Sequence, residues 1–349
     1  MDFYKILNMF AFRKRNFKLF TIVLFAATIT SLFVNYSQHS DTALWRPEKY
    51  IFRFSEQLKR FVAFSKSVCS CETCVAESEI SAWFDERFNL SIQPLLTKQN
   101  NVIPESVFKW WLRLQRENSP KDINKVIEEL FEIISGDKYV LDPSPYRCRT
   151  CAVVGNSGNL KNSNYGPDID KHDFILRMNH APTTHYEMDV GSRTTHHFVY
   201  PESAKDLHEN VSMIIIPFKI LDLEWVISAF TNGRINFTYA AVPRKIRVNK
   251  EKVLVYSPEL MKYIYDNWLL HHGRYPSTGI LSVIFALHIC DKVDLYGFGA
   301  DSHGNWHHYW ENNNAGGAFR QTGVHDGDFE ADILANLSSI NKVHLFSGR

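Results

Sequence analysis

The stretch Cys148–Asn179 decides the fold, and it reads CRTCAVVGNSGNLKNSNYGPDIDKHDFILRMN. Its apolar run Ala152–Val154 is followed by a glycine, and a short run rich in β-branched residues predicts a buried strand. The sequence GNSG at 155–158 is typical of a turn. A strand, a loop of small residues and a helix start is how α/β folds direct backbone N–H groups at a phosphate or nucleotide. An ordinary turn is the alternative, because short glycine motifs often match by accident.

Short apolar runs alternate with helical patterns in the rest of the chain. The predicted strands are Ala152–Val154, Phe174–Met178, Thr195–Val199, Met213–Ile216, Val253–Tyr256, Val293–Tyr296 and Lys342–Phe346. The predicted helices between them are Leu223–Thr231, Pro258–His271 and Thr278–Ile289. This alternation predicts an α/β fold with a mostly parallel sheet and helices on both faces. An N-terminal helical region precedes it, with an amphipathic helix from Pro47 and helices at Ser81–Phe88, with Ser81 as N-cap, Val107–Arg116 and Asn124–Ile134.

The N-terminus predicts a membrane anchor. Basic residues between 13 and 18 precede residues 19–34, which carry no charge. Counted from Phe17, this stretch is about 27 Å long as a helix, enough to cross a thin bilayer. A cleaved signal peptide is the alternative, but the apolar run is longer than a usual signal core and no small-residue cleavage site precedes Asn35.

Basic residues ahead of a span hold the N-terminus in the cytosol, so the rest of the chain is expected in the lumen. The predicted organisation is a cytosolic tail at 1–16, a signal anchor at 17–34, a stem at 35–46 and a lumenal domain at 47–349. Five Asn-x-Ser/Thr acceptors are compatible with glycosylation, at Asn35, Asn89, Asn210, Asn236 and Asn336.

Six cysteines lie beyond the predicted span, at Cys69, Cys71, Cys74, Cys148, Cys151 and Cys290. An even number of cysteines in an oxidising lumen favours disulfides, and the residues alone leave the pairing open. Cys71 and Cys74, and likewise Cys148 and Cys151, are separated by two residues, as in zinc ribbons. A zinc site would be the preferred interpretation for a cytosolic chain. The formal net charge of +1, with no basic patch interleaved with aromatic residues, gives no reason to expect nucleic acid as a partner.

A second stretch, from His271 to Glu311, carries candidate chemistry. Its sequence PSTG at 276–279 leads into an apolar helix, where Ser277 or Thr278 can cap the helix or donate to a bound anion. The strand Val293–Tyr296 ends at a Gly-Phe-Gly turn, the place where ligands meet open α/β sheets. Histidine is the usual general base near neutral pH, and the segment HHYWE begins at His307.

Paired histidines and paired acids are the candidates for a metal site. Neighbouring residues on a strand point to opposite faces, so a pair such as His196-His197 rarely chelates one ion. Two acidic pairs could hold a divalent ion, Asp168 with Asp170 and Asp326 with Asp328. Short acidic pairs are common in loops, and we expect no required metal.

Taken together, these segments resemble the animal sialyltransferases. The similarity covers the family's large, small, third and very small motifs in the family's order, at Cys148–Glu202, Tyr275–Gly297, His308–Glu311 and His325–Glu330. Flanking stretches such as SAWFDERF, WWLRLQRE, TTHHFVYPESAKDL and GNWHHYWENN are similar to the β-galactoside α2,3-sialyltransferases acting on Galβ1-3GalNAc.

The resemblance implies transfer of sialic acid from CMP-sialic acid to the 3-hydroxyl of galactose in Galβ1-3GalNAc glycans of glycoproteins or glycolipids. It implies an inverting reaction without metal or cofactor, in a Golgi membrane enzyme with one span and a lumenal catalytic domain. The implied fold is a single Rossmann-like domain, a variant of the A-type glycosyltransferase fold. The alternatives are a sialyltransferase of different linkage or acceptor, and a catalytically silent lumenal glycan-binding protein.

The resemblance also implies roles for individual residues. His325 would be the general base, and His308 would contact the donor phosphate and help CMP to leave. The implied donor-binding set is Asn156, Ser157, Gly158, Asn179, Tyr200, Tyr239, Ser277, Thr278, Gly279 and Gly299. The implied acceptor contacts are Gln115 and Tyr275. The implied disulfides are Cys69–Cys74, Cys71–Cys148 and Cys151–Cys290.

Overall fold

A computed structural model describes residues 25–26, 28–30, 68–115, 117, 120–137, 144–301, 303–312 and 323–348. The chain divides into two units, Met1–Val62 and Ala63–Arg349, and the sheet and its helices belong to the second. Within the described ranges no helix is long and apolar enough to cross a bilayer. The predicted tail, stem and amphipathic helix from Pro47 lie outside the described residues, as does most of the predicted anchor, of which 25–26 and 28–30 are helical.

The described residues of the second unit form one sheet. Its strands are β1 Leu95–Leu96, β2 Thr150–Val154, β3 Phe174–Met178, β4 His196–Val199, β5 Ser212–Ile215, β6 Val253–Tyr256, β7 Lys292–Tyr296 and β8 His344–Phe346. Their order across the sheet is β1-β6-β5-β4-β3-β2-β7-β8, and all neighbours are parallel except β1 and β6. The predicted mostly parallel α/β sheet is confirmed.

Helices connect and cover the strands. They are α1 Ala82–Asp85, α2 Glu105–Trp111, α3 Ile123–Ile133, α4 Gly166–Ile169, α5 Glu187–Val190, α6 Ile220–Phe230, α7 Pro258–Tyr263, α8 Thr278–Ile289 and α9 Gly327–Ser339. Side chains cap the N-termini of α3, α7, α8 and α9. The side chain of Ser257 accepts from two backbone N–H groups of α7, and Asp122 accepts from the backbone N–H of Asn124 in α3.

The strand order places a crevice at the ends of β2 and β7. From β2 the chain adds strands in one direction as far as β6, and β7 then returns to the other side of β2. Such a reversal opens a ligand site at the carboxyl ends of the strands. Val154 pairs with Tyr296, so the turns that start at Gly155 and Gly297 lie side by side. A Cβ on Gly155 would lie 2.3 Å from the carbonyl oxygen of Gly297, and only glycine allows this approach.

Strand β2 is buried on both faces. Cys151 and Val153 belong to the larger hydrophobic cluster, and Ala152 and Val154 belong to the smaller one. Successive side chains of a strand point to opposite faces, so the two clusters lie on the two sides of the sheet. Helix α8, buried from Ile280 to Ile289, is part of the larger cluster, and residues of α4 and α5 are part of the smaller one. The prediction of helices on both faces is confirmed.

The predicted strands are all present within two residues of their predicted bounds, but some helical predictions are wrong. The helix predicted for 258–271 ends at Tyr263, because a π-helical turn follows at Ile264–Trp268. Leu270 and His271 then have φ angles of 48° and 69°, which a right-handed helix does not allow. Ser81 makes no side-chain capping bond, and α1 ends three residues before the predicted Phe88.

Helix α9 and strand β1 are not predicted by the sequence pattern. Helix α9 begins with glycine and carries charges in its first turn, so its start has no apolar helical pattern. Asp326 caps it by accepting from the backbone N–H of Phe329. Strand β1 has two residues, which is too short for an alternating pattern.

Three disulfides join the described cysteines, Cys69–Cys74, Cys71–Cys148 and Cys151–Cys290. These are the pairs that the family resemblance implies, and the zinc alternative is wrong. The third bond links Cys151 of β2 to Cys290, the residue that follows α8, so it fastens the end of that helix to the strand.

Candidate active site

A cavity of about 280 Å³ lies in the crevice at the ends of β2 and β7. Each of the four predicted motifs contributes to its wall. The lining residues include Gly155, Asn156, Ser157, Ser277, Gly279, Gly297, Phe298, Gly299, Trp306, His307, His308, His325 and Glu330. Residues from distant parts of the sequence are therefore brought together around one space.

The turn after β2 is held by backbone pairing with the histidine segment. The N–H of Gly158 donates to the carbonyl oxygen of His307 at 2.7 Å, and Ser157 and His308 form an antiparallel bridge. A Cβ on Gly158 would lie 3.3 Å from that carbonyl oxygen, so a larger residue would crowd the pairing. The main chain thus places His308 beside the glycine turn.

Two asparagines of the predicted donor-binding set, Asn156 and Asn179, hold buried oxygens with no partner among the described residues. The Nδ2 of Asn156 donates to the carbonyl oxygen of Met178 at 3.2 Å, which fixes the amide and leaves Oδ1 unsatisfied. The Oδ1 of Asn179, at the end of β3, is also unsatisfied. Buried polar atoms in native proteins are almost always hydrogen-bonded, so these oxygens are candidate ligand contacts.

The corner before α8 is organised by a buried carboxylate. Ser277 Oγ accepts from the N–H of Ile280, as predicted for a cap, and the N–H of Ser277 donates to Glu330 Oε1 at 2.9 Å. Ser277 Oγ also donates to Glu330 Oε2. Burial raises the pKa of Glu330 to about 7, although the bonds from Ser277 oppose this shift. Thr278 is the first residue of α8, and Gly279 lines the cavity beside it.

The imidazole of His325 is oriented by a backbone carbonyl. Its Nδ1 lies 2.8 Å from the carbonyl oxygen of Tyr275, which can only accept, so Nδ1 carries the proton and Nε2 holds the free lone pair. The ring also meets the Tyr275 ring edge-on, with centroids 5.0 Å apart. Burial lowers the pKa of His325, partly opposed by the Tyr275 bond. The side chain is therefore a neutral base near pH 7.

His308 is held by an acidic and an aromatic neighbour. Its Nδ1 lies 3.0 Å from Oε1 of Glu311, and its ring stacks on Trp310 with centroids 4.4 Å apart. A carboxylate at Nδ1 holds the proton on that nitrogen. Gly299, on the same wall, has a φ of 87°, a conformation that favours glycine.

A row of aromatic rings links His325 to the predicted phosphate-binding tyrosines. The Tyr275 ring contacts Phe218 with centroids 5.2 Å apart, and Phe218 contacts Tyr200 at 6.1 Å. Tyr200 and Tyr239 share a side-chain hydrogen bond, and burial raises the pKa of Tyr200. These tyrosines do not line the cavity itself, but the row of rings joins them to its His325 end.

The predicted acidic pairs are engaged in local structure. Asp170 accepts from the backbone N–H groups of Ser192 and Arg193, and Asp326 caps α9 and pairs with His272 at 3.0 Å. Within the described ranges there is no group of three or more His, Cys, Asp or Glu residues that could hold a metal ion.

Sequence reasoning misses two buried charged residues near the site. Glu330 is quoted within a motif but has no predicted role, and its buried carboxylate is 53 residues from the serine that it holds. Lys219 is not singled out at all, yet its Nζ lies 2.7 Å from Oε1 of the predicted acceptor residue Gln115. The available signal was a lone cation in the apolar run MIIIPFKIL that begins at Met213.

Comparison with known proteins agrees with this geometry. The family model described as glycosyltransferase family 29 (sialyltransferase) matches residues 95–342. The chain is 60% identical to CMP-N-acetylneuraminate-beta-galactosamide-alpha-2,3-sialyltransferase 1 of Gallus gallus, over 97% of this chain and 99% of that protein. It is 56% identical to the Homo sapiens protein of the same name, over 98% of this chain and 100% of that protein.

Solved structures give the same result. A crystal structure of a mammalian sialyltransferase aligns with a TM-score of 0.76 and 61% identity, covering 80% of this chain and 99% of that chain. A second one, in complex with Gal-beta-1-3GalNAc-ortho-nitrophenol, aligns with a TM-score of 0.74 and 60% identity, covering 80% of this chain and all of that chain. The family model and the relatives show that the chain belongs to glycosyltransferase family 29, the sialyltransferases, and the cavity with His308 and His325 agrees with this.

Proposed function

We propose that this protein transfers sialic acid from CMP-sialic acid to the 3-hydroxyl of galactose in Galβ1-3GalNAc glycans of glycoproteins or glycolipids. The observation that carries the proposal is one cavity lined by the turn after β2, the corner before α8 and both His308 and His325. The names of the relatives and the disaccharide bound in a related structure support the same donor, acceptor and linkage.

In this proposal His325 is the general base. Its Nε2, free because Nδ1 is held by the Tyr275 carbonyl, takes the proton from the galactose 3-hydroxyl. The galactose oxygen forms a bond to the anomeric carbon of sialic acid while the bond from that carbon to the CMP oxygen breaks. Attack from the side opposite CMP inverts the configuration. Gln115 and Tyr275 would hold the galactose in this position.

The donor side stabilises charge on the departing phosphate. His308 would contact the phosphate, together with the hydroxyls of Tyr200 and Tyr239. The nucleotide would be held by the remaining predicted residues, which are Asn156, Ser157, Gly158, Asn179, Ser277, Thr278, Gly279 and Gly299. A monophosphate leaving group carries less charge than a diphosphate, so hydrogen-bond donors and a histidine suffice and no metal is required.

The membrane topology is part of the same proposal. Residues 17–34 would form the signal anchor, with 1–16 in the cytosol, a stem at 35–46 and the catalytic domain at 47–349 in the Golgi lumen. Protease treatment of intact Golgi vesicles tests this topology. We expect the domain to be protected until detergent is added, and cleavage of the domain in intact vesicles would contradict it.

The decisive assay for the activity supplies the purified full chain with CMP-sialic acid and a panel of acceptors. We expect Galβ1-3GalNAc to be the best acceptor, and we expect an α2,3-specific sialidase to remove the added sialic acid. A product resistant to that sialidase, or a preference for Galβ1-4GlcNAc, would favour the alternative of different linkage or acceptor. Binding of CMP without any turnover would favour the silent glycan-binding alternative.

A further inference from the structure

Lys219 is a buried cation beside the predicted acceptor residue. It is 4% exposed and lies at the N-terminus of α6. Its Nζ lies 2.7 Å from Oε1 of Gln115, 2.7 Å from Oδ1 of Asp222 and 3.9 Å from Oε1 of Glu202. Burying a lysine is costly unless its N–H groups are paired, so this residue holds a definite place rather than filling space.

The contact with Lys219 decides which way the amide of Gln115 faces. An ammonium group has three N–H donors and no acceptor, so it can bind only the oxygen of the amide. The Oε1 of Gln115 therefore faces Lys219, and the Nε2 faces away from it. Without a charged donor on one side, an amide can turn over and present either its oxygen or its nitrogen.

The backbone around Gln115 is fastened to the same region of the fold. The Nε1 of Trp111 donates to the carbonyl oxygen of Pro217 at 2.7 Å, and Glu117 accepts from the N–H of Ile220 at 2.8 Å. These bonds lie on either side of Gln115 along the chain. They hold the segment that carries Gln115 against the start of α6, where Lys219 lies.

We propose that Lys219 is a positioning residue for the transfer, and that it holds the Gln115 amide so that Nε2 donates to an oxygen of the acceptor galactose. This assignment rests on the proposed function. In this assignment Lys219 and Gln115 act together in acceptor recognition, and of these two residues only Gln115 contacts the sugar. Because the side presented to the sugar is a donor, the galactose atom that it meets must be an oxygen with a free lone pair.

The first test replaces the amide and leaves Lys219 in place. Gln115→Glu keeps an oxygen for Lys219 but has no N–H group for the sugar, whereas Gln115→Leu loses both contacts. We expect the KM for Galβ1-3GalNAc to rise about tenfold in both variants, the size of one lost hydrogen bond, with the KM for CMP-sialic acid changed less than threefold. An unchanged acceptor KM in Gln115→Glu would overturn the proposed orientation.

The second test removes the cation. Lys219→Met is combined with Asp222→Asn, since a lone buried carboxylate would threaten folding, and Asp222→Asn alone is the matched control. We expect the acceptor KM of the combined variant to be about tenfold above that of the control. Adding Gln115→Leu to the combined variant should raise the KM no further, because both changes remove the same interaction.

The outcomes separate this assignment from the proposed function. Lys219 also lies 5.1 Å from the ring of Tyr239, so a role through that tyrosine would make the effects of Lys219→Met and Gln115→Leu additive and would overturn the assignment. If the combined variant Lys219→Met and Asp222→Asn has the same acceptor KM as Asp222→Asn alone, and the wild-type chain still transfers sialic acid, the assignment of Lys219 is also overturned. Absence of transfer by the wild-type chain would overturn the proposed function itself.

Discussion

Replacing His325 with asparagine tests the proposed general base directly. The Nδ2 of an asparagine occupies nearly the place of the imidazole Nδ1, so His325→Asn can keep the bond to the Tyr275 carbonyl. It has no basic nitrogen where Nε2 stood. The variant therefore separates loss of the base from loss of the local structure.

The structure sets the expected size of the effect. His325 is half-buried, and the Tyr275 bond fixes one tautomer, so the contribution of an oriented base is available. Such a base accelerates a reaction by about 10²–10⁴-fold, which corresponds to roughly 3–5 kcal/mol of activation free energy. The side chain of His325 lines the cavity, and its hydrogen bond goes to Tyr275, which the proposal places on the acceptor side, so affinity for CMP should change less than threefold.

The assay compares wild type and His325→Asn with saturating CMP-sialic acid and Galβ1-3GalNAc, and measures CMP affinity by calorimetry. We expect kcat to fall at least a hundredfold with CMP affinity retained. His325→Ala, which loses both the base and the bond to Tyr275, serves as the comparison and should fall at least as far. A decrease of less than tenfold in His325→Asn would refute the assignment of the base.

Other predictions concern pH, stability and metal. Because burial lowers the pKa of His325, protonation should remove the base only below its usual range, so the acid limb of kcat/KM should have its midpoint below 6.5; a midpoint above 7 would contradict this. The pKa of Glu330 is about 7 in the folded state against an ordinary value of 4.5, so the folded state binds this proton more tightly than the unfolded chain. The free energy of unfolding should therefore fall by about 3 kcal/mol as pH rises from 4.5 to 7. Glu330→Gln should flatten that dependence in thermal unfolding at pH 5 and pH 8, and an unaltered slope would show that the carboxylate is not the cause. Replacing Cys151 and Cys290 with alanine should cost roughly 2–5 kcal/mol of unfolding free energy in urea titrations, and no loss would mean that the bond constrains nothing. EDTA should leave the transfer rate within twofold of its value, and strong inhibition would restore the acidic pairs as ligands.

Local sequence patterns determine most of the sheet. The runs Phe174–Met178 and Val253–Tyr256 are strands with the bounds that their apolar residues predict, and α8 has both predicted ends. These elements are predictable because a β-branched run, or a capping serine ahead of an apolar run, acts over a few residues. The sequence also places the glycine turn at the end of β2, where the strand order later forms the crevice.

Helix ends that depend on packing are less predictable. The pattern of 258–271 is helical throughout, but the chain turns at Ile264–Trp268 and then carries two residues in the left-handed region. The segment that follows bonds to the loop of His325, since the N–H of Arg274 donates to the carbonyl oxygen of Val324. That contact joins parts of the chain that no local pattern relates.

The sequence by itself determined the family, the order of the strands' apolar runs and the residue types of the site. Tertiary structure alone decided that Glu330 accepts hydrogen bonds from Ser277, 53 residues away in the chain. It also decided that Lys219 contacts Gln115, 104 residues away. The physical reason is that a buried charge is tolerated only where the fold supplies its partners. Those partners come from elements that the strand order brings together, and a charged residue in an apolar run does not reveal which elements they will be.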